Sequence, residues 1–238
     1  MRFARSLAAV LAAALLLGTL PALAWPAVAA PAGQIVVAGA PSGSHLSLAL
    51  SEGELLIRGA SEPAASSGCS FSHGGGVALC PLAGVARIEL VMGEAEDRVS
   101  VLEAMPVPVT ARLGGGSDKF IGNAEPDTCY PEGARRNRCV GGAGDDICIT
   151  GNENSDCVGG PGDDYCRHGA GSDGCWGGPG DDICVMGAGD DGCHGGPGDD
   201  RLFGGPGSDQ LYGGPGRDYC DGGPGRGHSY QCEEGPGS

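Results

Sequence analysis

An aspartate recurs at every ninth residue over a long stretch of this chain, and the residues around each one are those that could hold a hard cation. From Gly141 to Tyr230 the sequence divides into nonapeptides in one register: GGAGDDICI, TGNENSDCV, GGPGDDYCR, HGAGSDGCW, GGPGDDICV, MGAGDDGCH, GGPGDDRLF, GGPGSDQLY, GGPGRDYCD, GGPGRGHSY. Glycine at positions 1, 2 and 4 lets the backbone turn with positive φ and frees its carbonyls to converge on one spot. Aspartate at position 6 adds an anionic oxygen beside them, and an all-oxygen ligand set suits Ca²⁺ better than a softer metal. Positions 7 to 9 read as a short strand whose middle residue, position 8, points inward while its neighbours point out. Position 8 is then the whole core of the array. A disordered Gly/Pro/Asp linker shares the composition, but it gives no reason for a strict position 8.

The consensus G-G-x-G-x-D-x-U-x, with U apolar, resembles the repeat of the RTX, or haemolysin-type calcium-binding, family. The resemblance implies an all-β fold, a right-handed parallel β-roll loaded with several Ca²⁺ ions, in which two nonapeptides make one turn of about eighteen residues. Each ion would then sit between loops eighteen apart, which sorts the loops into two unequal stacks. In the first, the loops from Gly141, Gly159, Gly177, Gly195 and Gly213 carry Asp146, Asp164, Asp182, Asp200 and Asp218 at position 6. Their position-2 and position-4 glycines are Gly142 and Gly144, Gly160 and Gly162, Gly178 and Gly180, Gly196 and Gly198, Gly214 and Gly216. In the second, the loops from Thr150, His168, Met186, Gly204 and Gly222 carry Ser155, Asp173, Asp191, Asp209 and Gly227, so only the middle looks competent.

Composition points the same way. The 238 residues carry a formal net charge of -16, with 48 glycines, 12 cysteines and only 5% aromatics, too little bulk for a large conventional core. The acidic balance excludes nucleic acid as a partner, since no basic patch exists to release phosphate counterions. At the N-terminus, Arg2 and Arg5 precede the apolar run Leu7 to Leu20, and Ala22, Leu23 and Ala24 supply small residues for cleavage. Residues 1–24 are therefore expected to be a signal peptide of a secreted protein, and the chain to have no membrane span. Many RTX proteins lack such a signal and leave the cell by a C-terminal one, so this chain departs from much of the family.

Residues 31–112 have a different texture and are expected to form a β-rich cap, residues 113–230 the roll, and residues 231–238 a tail. Leu46, Leu48 and Leu50 alternate, Glu52 and Gly53 can turn, and Leu55 with Ile57 resumes, which predicts a hairpin. Ile88, Leu90, Val99, Val101, Val107, Val109 and Leu113 read as further half-buried strands. MGEAEDRVS already resembles a worn nonapeptide with Asp97 at position 6 and Val99 at position 8. Degraded units follow, placing Asp118 with Phe120, Asp127 with Cys129 and, after the extra residue Pro131, Asn137 with Cys139. Arg135, Arg136 and Arg138 form the only basic cluster beyond the leader and are expected to replace calcium in their loop with fixed charge.

No catalytic constellation emerges, and the chain is not expected to be an enzyme. His45, His73, His168, His194 and His228 include no H-E-x-x-H, and G-x-S-x-G is absent. His168 and His194, at positions 1 and 9, read as exposed variable sites. The leading expectation is a secreted calcium-binding structural protein. The alternatives are an adhesion or surface-interaction module presenting Trp176, Phe203, Tyr212, Tyr219 and Tyr230, an accessory domain for an enzyme, and an ice-binding roll; the last would need outward threonine rows, which positions 3 and 5 do not supply.

The cysteines are the departure within the array, because position 8 holds Cys139, Cys148, Cys157, Cys166, Cys175, Cys184 and Cys193 in succession. Export favours their oxidation. Residues eighteen apart stack at about 4.8 Å, whereas facing sheets normally pack near ~10 Å, so the expected bridges are Cys139 with Cys157, Cys166 with Cys184, Cys175 with Cys193, and Cys129 with Cys148. Cys220 with Cys232 would close the C-terminal end, and Cys69 with Cys80 the cap. A core of small side chains thin enough to bring the sheets together would instead allow bridges nine apart.

Overall fold

The computed structural model describes residues 33–38, 45–59, 70–71, 77–102, 105–132 and 136–232. Residues 1–24, read as a leader, lie outside them, as do Cys69, His73, Arg135 and most of the tail. The described chain contains no helix and 21 strands. They are β1 (Gln34–Ala38), β2 (His45–Ser51), β3 (Glu54–Arg58), β4 (Ser70–Phe71), β5 (Val77–Pro81), β6 (Arg87–Val91), β7 (Arg98–Val101), β8 (Val109–Gly114), β9 (Lys119–Ile121), β10 (Thr128–Pro131) and β11 (Asn137–Val140). Then come β12 (Ile147–Ile149), β13 (Ser155–Val158), β14 (Tyr165–Arg167), β15 (Gly174–Trp176), β16 (Ile183–Val185), β17 (Gly192–His194), β18 (Arg201–Phe203), β19 (Gln210–Tyr212), β20 (Tyr219–Asp221) and β21 (His228–Tyr230).

Successive strands alternate between two parallel sheets, so each strand pairs with the next but one. One sheet runs β1, β6, β8, β10, β12, β14, β16, β18, β20; the other runs β21, β19, β17, β15, β13, β11, β9, β7, β2 and continues into β3, β5, β4. Registers are in step at eighteen residues through the array, as in Cys148 opposite Cys166 and Cys175 opposite Cys193. This is the parallel β-roll expected from the repeat. The parallel sheets extend well before Leu113, where the roll was expected to begin: β1 pairs parallel with β6, and β2 with β7. The division placed at residue 112 falls inside β8. Only β2, β3, β5 and β4 pair antiparallel, and β2 with β3 is the hairpin read from Leu46 to Ile57. That hairpin covers one edge of a stacked sheet, where unpaired backbone groups would otherwise invite pairing with another chain.

The early strands bury two or three residues each, and through the three-residue strands of the array the core narrows to one. Strands such as Ile183–Val185 bury only their middle residue, and the buried row passes from Ile88, Leu90, Val99, Val101, Leu113 and Phe120 into the cysteines and ends in Leu202, Leu211 and Cys220. Cysteine adds little bulk, and the two sheets lie close together where it fills the core. Cα separations across the core are 6.4 Å for Cys129–Cys139, 6.3 Å for Cys157–Cys166 and 6.6 Å for Cys175–Cys184, and all three pairs are disulfides. These replace the expected pairs Cys139–Cys157, Cys166–Cys184, Cys175–Cys193 and Cys129–Cys148. The reason is directional: in-register neighbours on one sheet project side by side, while residues nine apart project toward each other across a gap well under the ~10 Å of ordinary sheet packing. Cys148 and Cys193 are buried free thiols. Cys220–Cys232 is bridged as expected, with Cα atoms 5.9 Å apart, and Cys80 is disulfide-bonded.

The loops between strands are set by backbone contact from coil to coil. Gly178 has φ +127°, and a Cβ built there would overlap the carbonyl of Gly160 one coil back; Gly160, Gly196 and Gly214 repeat the arrangement. Gly192, inside β17, has open space around the same position. Gly178→Ala should therefore destabilise the calcium-saturated protein by about 1–3 kcal/mol, the usual cost of a glycine-only conformation, and by more if the coils are pushed apart. Gly192→Ala should stay within about 0.5 kcal/mol of the parent or stabilise it slightly. Urea denaturation of both variants checks the contrast; equal destabilisation would show that loop geometry is not the controlling factor.

Candidate metal centre

The position-6 carboxylates form two buried columns along the roll, and each carboxylate is held by its neighbour's backbone. In the first, the N–H of Asp146 donates to Oδ1 of Asp164 at 2.7 Å, Asp164 to Asp182 at 2.8 Å, Asp182 to Asp200 at 2.8 Å and Asp200 to Asp218 at 2.9 Å. The chain of bonds starts earlier, with the N–H of Val109 on Asp127 at 2.7 Å and that of Asp127 on Asp146 at 2.7 Å. In the second column Ser155 donates to Asp173 at 2.7 Å, Asp173 to Asp191 at 2.8 Å and Asp191 to Asp209 at 3.1 Å. Every one of these carboxylates is at most 5% exposed.

One oxygen of each is thereby used, and Asp127 uses both, its Oδ2 accepting the N–H of Asn123 at 2.8 Å. Oδ2 of Asp118, Asp146, Asp164, Asp173, Asp182, Asp191, Asp200 and Asp209 is buried without a hydrogen bond. Leaving a charged oxygen so placed is costly unless a cation meets it. The arginine ion pairs of the described residues, Glu89–Arg112, Asp156–Arg136 and Asp199–Arg217, lie at the surface and none reaches Asp146, Asp164, Asp182 or Asp200. Position 1 completes the cradle: a Cβ on Gly141, Gly159, Gly177 or Gly195 would overlap Oδ2 of its own loop's aspartate. Carbonyls at positions 1 and 3 accept N–H bonds from the preceding coil, as Gly177 does from Gly160 at 2.8 Å and Pro179 from Gly162 at 2.9 Å; those of Gly160, Gly162, Gly178 and Gly180, at positions 2 and 4, take no part in these loop bonds. Carboxylate and carbonyl oxygens with no donor attached are the hard ligands that Ca²⁺ takes.

The second column differs where its glycines are replaced. Thr150, His168 and Met186 occupy position 1 and are buried, 8%, 3% and 0% exposed. His168 is therefore a core residue and not the exposed site expected. Its Nδ1 lies 2.9 Å from Oγ1 of Thr150 and 3.8 Å from Oδ1 of Asp173, and burial lowers its pKa to about 4, so the ring is neutral. The imidazole thus lies beside Asp173 where the Asp164 loop has only glycine. Ser155 ends that column, its hydroxyl donating to the Glu153 carbonyl of its own loop at 3.0 Å. The column resumes with Asn137, whose Oδ1 accepts from Asp118 at 2.8 Å, and with Asp118, which accepts from Asp97 at 2.9 Å. The basic cluster does not fill that gap: Arg136 reaches out to Asp156 at 3.0 Å, and a neutral amide occupies the slot.

Two features were not anticipated. Position 5 builds its own exposed ladder in the opposite direction, with N–H groups of Asp163, Asp181, Asp199 and Arg217 donating at 2.8–3.0 Å to Asp145, Asp163, Asp181 and Asp199; the repeated Asp-Asp doublets were its signal. The outward aromatics are also not scattered: Trp176, His194, Tyr212 and Tyr230 stack along one sheet with centroids 6.4, 4.6 and 4.8 Å apart, while Phe203 and Tyr219 meet on the other face at 5.7 Å.

Burial is the main cause that raises the carboxyls of the columns, from 3.8 to about 8 for Asp146 and Asp182 and about 7 for Asp118, Asp164 and Asp173. The N–H bond from the neighbouring coil opposes the rise, and carboxylates nearby add to it. A value above that of the unfolded chain means the calcium-free fold holds protons that the unfolded chain has released. Its stabilising share is complete below about pH 4 and is lost as pH rises to about 8. Calcium competes with those protons, so calcium affinity should rise between about pH 6 and pH 8 and binding should release protons. Melting curves in chelator at ~pH 5 and ~pH 8, beside calcium titrations at both, check this; a calcium-free protein that melts higher at the alkaline pH contradicts the sign.

The RTX calcium-binding nonapeptide repeat family matches in four copies at residues 158–175, 176–192 and 194–228. No curated protein and no solved structure is similar enough to this chain to count as a match. The matched residues include Asp164, Asp173, Asp182, Asp191, Asp200, Asp209 and Asp218, the part of the array in which position 6 is aspartate in every unit. Residues 158–228 thus carry RTX, or haemolysin-type, calcium-binding nonapeptide repeats.

Proposed function

We propose that this chain is a secreted structural protein whose roll is completed by calcium outside the cell. The observation that carries the reading is the continuous column of buried carboxylates, Asp146, Asp164, Asp182 and Asp200, each with one oxygen bonded to the adjacent coil and one left over. In this reading those residues, with Asp218, Asp173, Asp191 and Asp209, and the carbonyls beside Gly142, Gly144, Gly160, Gly162, Gly178, Gly180, Gly196, Gly198, Gly214 and Gly216, hold several ions between coils. Bound calcium supplies positive charge that the columns themselves lack. Without it, carboxylates one coil apart face each other at about the 4.8 Å strand spacing, well inside the ~8 Å Debye length of physiological salt. The family match and the four described disulfides support export to an oxidising, calcium-rich compartment.

No grouping of nucleophile, base and oxyanion donors was found in the sequence, so the reading assigns the chain no catalysis of its own. A surface-interaction role has a specific feature in its favour, the aromatic row from Trp176 to Tyr230. The rings stack face to face within 13°, which spends their flat faces on one another and leaves edges outward. The row is better accounted for as cross-strand stabilisation of the sheet.

Removal of calcium should cost the protein most of its β-structure and its protease resistance. At calcium ten times the Kd each site adds roughly 1.4 kcal/mol, so Asp182→Asn, which keeps an acceptor for the Asp164 N–H, should lower stability in calcium by about that amount and leave it nearly unchanged in chelator. Ser155→Ala should have little effect on either. Circular dichroism with ion counting on the full chain decides the matter: equal β content and equal protease resistance with and without chelator would remove the calcium-folding reading.

A further inference from the structure

The core of the roll holds eight cysteines in one zigzag row, Cys129, Cys139, Cys148, Cys157, Cys166, Cys175, Cys184 and Cys193, alternating between the two sheets. Each inner member has a cysteine facing it from the other sheet on both sides, one half-turn back and one half-turn on. The bridges Cys129–Cys139, Cys157–Cys166 and Cys175–Cys184 use one choice of partner and strand Cys148 and Cys193 as thiols at either side of two adjacent disulfides. The opposite choice, Cys148–Cys157, Cys166–Cys175 and Cys184–Cys193 beside an unchanged Cys129–Cys139, pairs all eight. We infer that this row is a two-electron thiol–disulfide site: the roll carries a dithiol that passes its thiols along the core by register shift and is oxidised to a fourth disulfide.

Two independent placements support the shift. The sulfur of Cys193 and those of the Cys175–Cys184 bridge all lie within 4.8 Å of one another. At the other end Cys148 shares a small cavity with both neighbouring bridges, lined by Cys129, Cys139, Cys157 and Cys166 together with the carboxylates of Asp127, Asp146 and Asp164. Each free thiol thus sits beside a disulfide it can attack. Nothing of this kind is needed to fill the core, since Leu202 and Leu211 serve position 8 equally well one coil on from Cys184 and Cys193.

The steps balance. The Cys148 thiolate attacks the sulfur of Cys157, the Cys157–Cys166 bond breaks, and Cys166 leaves as thiolate and takes up the proton Cys148 lost. Cys166 then attacks Cys175 in the same way and releases Cys184. No electrons have left the protein at that point; the two thiols have become neighbours at Cys184 and Cys193. An external disulfide of the glutathione class is the oxidant: one of these thiols attacks it, a first external thiol departs, and the other protein thiol resolves the mixed disulfide and expels the second. Two protein thiols and one external disulfide become one protein disulfide and two external thiols. Burial raises the thiols of Cys148 and Cys193 well above their ordinary range, and only thiolate attacks, so the packed roll keeps the exchange slow and local opening releases it.

The test is disulfide mapping of the full chain, alkylated in denaturant without reduction, before and after incubation with oxidised glutathione in calcium and sub-denaturing urea. Two thiols before and none after, with peptides linked Cys148–Cys157, Cys166–Cys175 and Cys184–Cys193 and no glutathione adduct, is the expected result. Retention of Cys157–Cys166 and Cys175–Cys184 with glutathione on Cys148 and Cys193, a Cys148–Cys193 bridge, or two thiols unchanged by oxidant would each overturn it. Cys193→Ala provides a second reading that needs no oxidant: one thiol must remain, and under opening it should distribute over Cys148, Cys166 and Cys184, whereas a fixed pairing confines it to Cys148. The mapping reads covalent pairs in denaturant and so stands whether or not calcium folds the roll.

Discussion

The hydrogen bond from each position-6 N–H to the carboxylate one coil further on is the interaction on which the rest of this molecule depends. It fixes where the aspartate side chain lies, turns it inward to near-complete burial, and leaves one oxygen without a donor. A carboxylate in ordinary folds is buried only beside a cation or several donors. Here a single donor is supplied and the second demand is left to something outside the chain. The glycines follow from that choice. Position 1 of the first column has no side chain because the carboxylate lies where Cβ would be, and position 2 has none because the preceding coil's carbonyl lies there.

The same closeness of coils decides the core. A solenoid whose loops touch backbone to backbone offers one inward position per half-turn, and that position must be filled from both sheets at once. Leucine does this at positions 202 and 211; between residues 129 and 193 cysteine does it, and the smaller residue brings the sheets to 6.3–6.6 Å between paired Cα atoms. At that distance a disulfide adds chain-entropy stabilisation of roughly 2–4 kcal/mol each, and it ties the two sheets together. The hydrogen-bonded carboxylate columns and stacked strands tie coil to coil along the axis. The two devices therefore constrain perpendicular directions.

What could be read from the sequence followed from how local each feature is. The period of nine exposed the Asp146 to Asp218 series, the glycine loops and the inward position 8, because each is a one-residue consequence of a repeating turn. The hairpin of β2 and β3 was equally local. The pairing of the cysteines was not, since it turns on sheet separation, and separation depends on what fills the core jointly. The expectation of about 10 Å came from sheets packed with larger side chains. His168 was misplaced because position 1 was treated as loop surface, although in a coil that buries the carboxylate beside it the same position must be buried too. The roll's early start was masked by the inserted hairpin, which breaks the spacing between β2 and β7 even though Asp97 and Val99 already held their places. The aromatic row needed only the spacing of eighteen applied to position 9.

The two columns are chemically unequal, and the inequality has a structural logic. Along the first, glycine at position 1 keeps a continuous run of equivalent intervals from Gly141 to Gly213. Along the second, Thr150, His168 and Met186 put atoms of the chain itself into the corresponding space, and Ser155 breaks the carboxylate series. A neutral imidazole beside Asp173 cannot balance a carboxylate, so that interval gains packing and a Thr150–His168 hydrogen bond in exchange for room around the anion. One edge of the roll thus keeps glycine beside every carboxylate, and the other, over those coils, places side chains of the chain itself there. Since both edges share the same cysteine core, the covalent row between them sits where a glycine-lined edge meets one that is filled from within.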